Sequence, residues 1–388
     1  MRKLAFAAIL AIGIAAPSSA SAVEFRSLDG SGNNLNHPDW GKVGTQYARV
    51  GPVNYADGVS TMVYASDATR SPRYISNRIF NDTFVTLFSE GQVSQFGWLW
   101  GQFIDHTLDL RNENPGAQNN IPFDQSDPLE SFVNQTASMD FFRTPRASGT
   151  GTGPDNPRQQ INTVNSFIDA FQVYGGTTAR EEWLRTGPVD GNLANNGPSL
   201  MLTDGYLPRA DARGDVSTAP AMDLMGPLTG QPQNAVVAGD VRANENIGLT
   251  ALQTLFAREH NRIVGLLPTS LSAQTRFNIA RRVVGAEEQY ITYNEFLPTM
   301  GVELPPYAGY DPTVDPTIAN EFATVGFRGH SAVNGELQAI APQGYWSDDQ
   351  LQSFEDMGIE QATLPSGDVE LTIQMTLAFG NPTSAGCR

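Results

Sequence analysis

Four histidines occur in 388 residues, His37, His106, His260 and His330. His106 closes the run Gln102-Phe103-Ile104-Asp105-His106. On a helix, positions 102 and 106 share a face and 105 lies one neighbour round, so three polar groups cluster on an otherwise apolar surface. Burying them requires a partner. An imidazole so placed is equipped to pass protons, although an isolated histidine also reads as a capped or core-satisfied group. A second cluster, Gly239-Asp240-Val241-Arg242-Ala243-Asn244-Glu245, stands directly before a long helical stretch. Arg242 and Glu245 are three apart and able to point the same way, and the cluster reads equally well as a helix cap with a salt bridge.

Arg258-Glu259-His260-Asn261-Arg262 falls on the same helix, far from its start, which makes it a structural polar network. His330 lies in Phe327-Arg328-Gly329-His330-Ser331, near the end of an expected helix, where Gly329 removes side-chain bulk and a flat ligand can approach. There is no His-Glu-x-x-His pair, no cysteine pair, no phosphate-binding glycine loop and no Gly-x-Ser-x-Gly elbow. Two isolated histidines on separate helices, each with an arginine nearby, suit a large planar iron cofactor held from one side and worked on from the other. Spacing alone leaves that open.

The elements that must position these residues follow from periodicity. Apolar spacings of three and four predict a helix from near Glu90 through Phe96, Leu99, Trp100, Phe103, Ile104 and Leu108. Asn246 to Leu267 form a second, with Leu249, Leu252, Leu255, Phe256 and Ile263 inward and Pro268 as a stop. Ser272 is the expected N-cap of a helix reaching Phe296, and Pro316 to about Val333 reads as a further one. Residues 23–78, 112–160 and 175–241 are rich in Gly, Asn, Asp and Pro and read as irregular chain wrapped around a core. The class is mainly α, with long loops and little β.

With 37 glycines and 25 prolines the composition is loop-rich, and the length suffices for a real core. A formal net charge of −17 disfavours nucleic acid and anionic lipid as partners. Met1 to Ala22 joins a basic start, a short apolar run and Ala20-Ser21-Ala22, the pattern of a cleaved secretory signal. The expected product is therefore extracytoplasmic, secreted or periplasmic, with no membrane span and one domain over 23–388. Cys387 is the only cysteine, so no internal disulfide forms.

Four segments together carry a family resemblance: Trp100-Gly101-Gln102-Phe103-Ile104-Asp105-His106, Ala238-Gly239-Asp240-Val241-Arg242-Ala243-Asn244-Glu245-Asn246, Arg258-Glu259-His260-Asn261-Arg262 and Phe327-Arg328-Gly329-His330. In this order they resemble the animal-type haem peroxidases of the peroxidase–cyclooxygenase superfamily, especially secreted bacterial members, which the opening Arg26 to Asn34 also resembles. The resemblance runs from about Arg26 to Pro382. It implies a mainly helical fold, haem b as cofactor, and reduction of hydrogen peroxide at the expense of a halide or small organic donor. His106 then matches the distal histidine, Arg242 the distal arginine, Gln102 the distal glutamine and His330 the proximal iron ligand. Asp105 and Glu245 match carboxylates that form ester links to haem. Asn246 stands where one member has a methionine making a sulfonium link, so that link cannot form. A haem-binding module without turnover and a fatty-acid dioxygenase of the same superfamily are the alternatives.

Two departures accompany the resemblance. Family members bind calcium through an aspartate just after the distal histidine and through a short loop. Those positions here are Thr107 and Asn165-Ser166-Phe167-Ile168-Asp169-Ala170-Phe171. Asp169 is kept and Phe167 offers a carbonyl, but Asn165 and Phe171 replace hydroxyl ligands, which argues against a bound Ca²⁺. The family's proximal asparagine and its later helices are not identifiable before Arg388, so the chain reads as C-terminally incomplete. Exposed apolar core and a requirement for a partner chain are the expected consequences.

Overall fold

The computed structural model describes residues 26–63, 71–80, 89–111, 116–124, 126–130, 138–224 and 226–374. The leader read at 1–22 and Cys387 lie outside the described residues. Helices dominate: α1 (Pro72–Ile79), α2 (Gln95–Leu108), α3 (Phe171–Tyr174), α4 (Thr178–Leu184), α5 (Ile247–Leu266), α6 (Ala273–Ile291), α7 (Leu297–Thr299) and α8 (Asp348–Asp356). Two small antiparallel sheets accompany them. One pairs β1 (Ile121–Pro122) with β2 (Ser138–Met139). The other has the order β3-β5-β4, from Glu336–Ala341, Val369–Gln374 and Glu360–Thr363.

The core lies where α2 and α3 meet α5 and where α5 folds back on α6. Phe103 of α2 stacks on Phe256 of α5 with ring centroids 5.0 Å apart, and Trp100 leans on both. Phe103 and Leu249 are fully buried, so each stabilises the fold by roughly 2 to 3 kcal/mol of removed apolar surface. Gly248 permits this contact, because a Cβ there would stand 2.4 Å from Leu99 Cδ2. Asn246 caps α5 by accepting the Leu249 N–H, and Ser272 caps α6 by accepting the Thr275 N–H. The second cap is the expected one.

Several boundaries differ from the sequence expectation. The first long helix starts at Gln95, because Gln92 adopts a left-handed turn at φ 53°, and Phe96 on its first turn is exposed. Leu255 points outward, 55% exposed, while Leu249, Leu252, Phe256 and Ile263 are buried as expected. The stretch 316–333 is no continuous helix. Its start is drawn out by pairing with Ala48, which donates to Ile318 O and accepts from Asn320 N, and beyond this only a π turn (Phe322–Gly326) and a 3-10 turn (His330–Ala332) form. The short α1 also stands in a stretch with no sustained helical period.

Candidate active site

Helix α2 carries Gln102, Asp105 and His106 to the turn that precedes α5. Gly239 explains how that turn comes so close: a Cβ on it would lie 2.4 Å from Phe171 O, in the single turn of α3, and 2.4 Å from Gly175 N just after it. This backbone contact lets the Asp240 N–H donate to Gln172 O at 3.1 Å and fixes the aspartate inside the core, 1% exposed. Asp240 then grips Arg242. Its two oxygens accept from Nε at 2.8 Å and Nη2 at 2.9 Å, and the Arg242 N–H donates to Oδ1 at 2.9 Å. The third guanidinium nitrogen, Nη1, lies 3.5 Å from Asp105 Oδ2.

His106 sits against this assembly, 2% exposed. Its Nδ1 is 3.6 Å from Asp240 Oδ1 and its Nε2 is 3.6 Å from Glu245 Oε2, too far for either to be a hydrogen bond. Gln102 donates to Glu245 Oε2 at 2.6 Å, and its own carbonyl accepts from Asn246 Nδ2 at 2.8 Å. Thus the residue that caps α5 also decides which end of the Gln102 amide faces the site. The five residues expected on the distal side, Gln102, Asp105, His106, Arg242 and Glu245, are thus linked in one polar layer, Arg242 to Asp105 directly and to His106 through Asp240, and His106 to Gln102 through Glu245.

Burial, with the charge of Arg242 behind it, drives the His106 pKa down to about 3, so the imidazole is neutral across the physiological range. Burial pushes Asp105 up to about 7 and raises Glu245, with Arg242 pulling both back. Asp240 behaves differently. Burial would raise it, but Arg242 and His106 overcome this and hold it below the ordinary carboxylate value. Burial in turn would weaken the Arg242 charge, and Asp240 reverses that too. The layer is a fixed ion pair with a neutral base beside it and two carboxyls on its more open side, where the side chains of Asp105 and Glu245 are 20% and 29% exposed.

His330 is on the open surface of the chain, in the 3-10 turn rather than on a helix. Partial desolvation by its surroundings and the nearby Arg328 lower its pKa. The charge of Arg328 also acts to lower the Asp105 pKa. His260 is a structural group, as its position predicts. It is fully buried, bonded through Nδ1 to the Tyr174 hydroxyl at 2.9 Å and through Nε2 to Pro198 O at 2.9 Å. His37 stacks on Trp40 at 3.7 Å, away from these groups.

Asp240 and Asn246 escaped the sequence reading as functional positions. An aspartate ahead of a helix ordinarily serves as a cap, and only the pairing of Asp240 with Arg242 two residues on distinguishes it. The residues expected near a calcium ion do come together. Thr107 Oγ1 donates to Phe167 O at 3.2 Å, and Asn165 Nδ2 donates to both Asp169 oxygens at 3.2 Å.

A buried imidazole whose ring nitrogens make no hydrogen bond among the described residues, backed by an arginine, fits a group that brings its own hydrogen-bonding atoms to the open side. The animal haem peroxidase profile matches residues 25–377. The chain belongs to this family. Peroxidasin of Drosophila melanogaster is 32% identical over 362 residues, covering 83% of this chain and 23% of that protein. Thyroid peroxidase of Canis lupus familiaris is 32% identical over 364 residues, 82% of this chain and 37% of its own length. Among solved structures, peroxidase A of Dictyostelium discoideum shares 26% identity and a TM-score of 0.69 over 92% of this chain and 65% of that one. A fatty acid α-dioxygenase of Arabidopsis thaliana, 16% identical with a TM-score of 0.59 over 82% of this chain and 49% of its own, shares the fold. The chain thus spans 23% and 37% of these two curated relatives and 65% and 49% of these two solved chains.

Proposed function

We propose that this chain is a haem peroxidase domain that reduces hydrogen peroxide and oxidises a halide or small organic donor. The observation that carries the reading is the juxtaposition of a neutral, unpaired His106 with an Arg242 locked onto Asp240. Haem, when bound, supplies an iron that accepts peroxide and takes up its oxidising equivalents. His330 would hold that iron, and Asp105 and Glu245 would meet the edge of the macrocycle. His106 Nε2 would take a proton from one peroxide oxygen and return it to the departing one, general acid–base work that contributes roughly 10² to 10⁴-fold. Arg242 faces the charge that develops as the O–O bond breaks, with no reorientation needed because Asp240 already holds it. Gln102, set by Asn246 and Glu245, orders the water or halide beside the imidazole.

The dioxygenase reading requires a tyrosine with a free hydroxyl beside the haem. The two buried tyrosines among the described residues are both committed: Tyr47 donates to Asp109, and Tyr174 pairs with His260. The signal-like pattern of residues 1–22 supports export of this chain; among the described residues no helix is long and apolar enough to cross a membrane.

The test is reconstitution with hemin followed by rapid mixing with peroxide. His106→Ala is expected to retain a Soret band and lose fast reaction with peroxide, whereas His330→Ala loses the band or shifts it to a misligated spectrum. Peroxide reacting equally fast with the His106→Ala protein would defeat the assignment.

A further inference from the structure

We propose that the loop from Asn165 to Phe171 is closed by the protein's own cation, the Arg281 guanidinium, and that this chain consequently folds and holds its site without calcium. Calcium takes six to eight oxygen ligands with their lone pairs pointing inward. The candidate ligands here have spent theirs. Thr107 Oγ1 donates to Phe167 O and at the same time accepts the Phe171 N–H at 3.0 Å, so hydroxyl and carbonyl answer each other. Asn165 turns its amide nitrogen, a donor, onto both oxygens of Asp169, and its carbonyl accepts the Phe167 N–H at 2.9 Å. That second bond fixes the amide's sense, since the opposite orientation would set two donors against each other at Phe167 N.

Charge makes the same point. Asp169 is the only carboxylate of the loop, and Arg281 Nη2 lies 3.7 Å from its Oδ2. Both groups are under 10% exposed, and Asn165 and Thr107 are fully buried. Burial pushes the Asp169 pKa up to about 6, and Arg281, then Asn165 and Arg26, pull it back; with these cations already facing the single carboxylate, a divalent ion added to the set would leave buried positive charge uncompensated, a costly arrangement. The guanidinium does further structural work. Nη1 donates to Arg26 O and Nη2 to Ser27 O, each at 2.8 Å, so one side chain of α6 ties the loop to the beginning of the described chain. From α6, Gln289 also donates to Ile168 O at 2.6 Å. The loop matters to the site because Thr107 follows His106 directly and because Phe171 begins α3, whose Gln172 carbonyl seats Asp240.

The experiment uses the full exported chain, expressed and purified with calcium present throughout. Metal content is measured by mass spectrometry, and Tm is compared with excess calcium and with EDTA. The expected result is well under one calcium per chain and the same Tm in both buffers. Arg281→Met and Asp169→Asn should each lower Tm, and the double variant should lose less than the sum. The bonds from Arg281 to Arg26 and Ser27 are lost in both arms of this cycle and cancel, leaving the pair itself. Calcium should restore none of the variants. Stoichiometric calcium with a Tm that falls in EDTA would overturn the proposal, and so would strictly additive losses. Should Arg281→Met fail to fold, the wild-type metal content and EDTA comparison still decide. None of these readings depends on peroxide turnover, so they stand apart from the haem assignment.

Discussion

Asp240 Oδ1 is shared between two partners: it accepts the Nε–H of Arg242 at 2.8 Å and lies 3.6 Å from Nδ1 of His106. One buried carboxylate therefore anchors the arginine and sets the field at the histidine. It does so from a turn that is itself held against α3 by the backbone contact at Gly239.

Asp240→Asn keeps the shape and removes the charge. The Arg242 guanidinium is then buried with a neutral partner, and breaking such a pair costs about 3 to 5 kcal/mol. The rate of reaction with peroxide is expected to fall by roughly 10² to 10³-fold, the usual loss when an electrostatic stabiliser is no longer positioned. Urea unfolding and stopped-flow spectroscopy on one preparation measure both. A wild-type rate in a folded Asp240→Asn protein would show that Arg242 needs no such anchor.

The pH profile of the peroxide reaction should be flat on its acid side well below the ordinary histidine range. His106 has its pKa lowered to about 3 by burial and by Arg242, so the reactive neutral form persists from neutrality down to near that value. The stability contribution has a definite sign. Between the unfolded value of about 6.5 and the folded value of about 3, the unfolded chain binds a proton that the folded chain does not, so acid destabilises the fold in that window. Because Asp105, beside Arg242, itself titrates at about 7, the decisive profile is that of Asp105→Asn, where a rate that still halves between pH 7 and pH 6 would contradict the assignment of His106 as the base.

His260→Phe separates structural from chemical histidines. It removes the partners of the Tyr174 hydroxyl and of Pro198 O in the core, at a cost of about 1 to 3 kcal/mol for each buried polar group left unpaired. The expected outcome is a lowered Tm with hemin binding and peroxide rate unchanged at temperatures where the protein remains folded. A selective loss of rate without loss of Tm would move His260 into the chemistry.

Glu288 is fully buried on α6, and its Oε2 accepts from Gln172 Nε2 at 3.1 Å. Burial raises its pKa well above the ordinary value, reinforced by Asp169 and Glu287 and opposed by the Gln172 bond. The folded state thus keeps a proton that the unfolded state releases. Stability is full below the unfolded carboxyl pKa and is lost toward the folded one, by about 1.4 kcal/mol per pH unit. Glu288→Gln mimics the protonated form and should flatten that part of the curve. Denaturant titrations at pH 5 and pH 8 test it, the variant gaining on wild type only at the higher pH.

The segments that bear the chemistry, the helices α2, α5 and α6 and the Ser272 cap were legible because their signals are local. An apolar period of three to four residues and a hydroxyl three positions before its amide are written within one or two turns of chain. Gln102, Asp105, His106, Arg242 and Glu245 were singled out for another reason: the family resemblance assigns them, and the structure links them in one polar layer. The family resemblance likewise marked Thr107, Asn165 and Asp169 as neighbours, but it could not show that an amide nitrogen and a guanidinium meet the carboxylate there.

What the tertiary structure alone decided involves partners far apart in the chain. The stretch 316–333 has helical periodicity, yet Ala48 pairs with its first residues and draws them out. Strands β3, β4 and β5 have no strong local pattern and exist through their mutual ladder, with Gln95 of α2 bonded to β3. Asp240 reads as a cap until Gly239 is seen lying on the backbone of α3. Residue order, through the family resemblance it carries, thus pointed to the groups this protein brings to bear. The tertiary structure determined which are buried and which face one another, because burial and hydrogen-bond pairing are properties of the assembled core rather than of neighbouring residues.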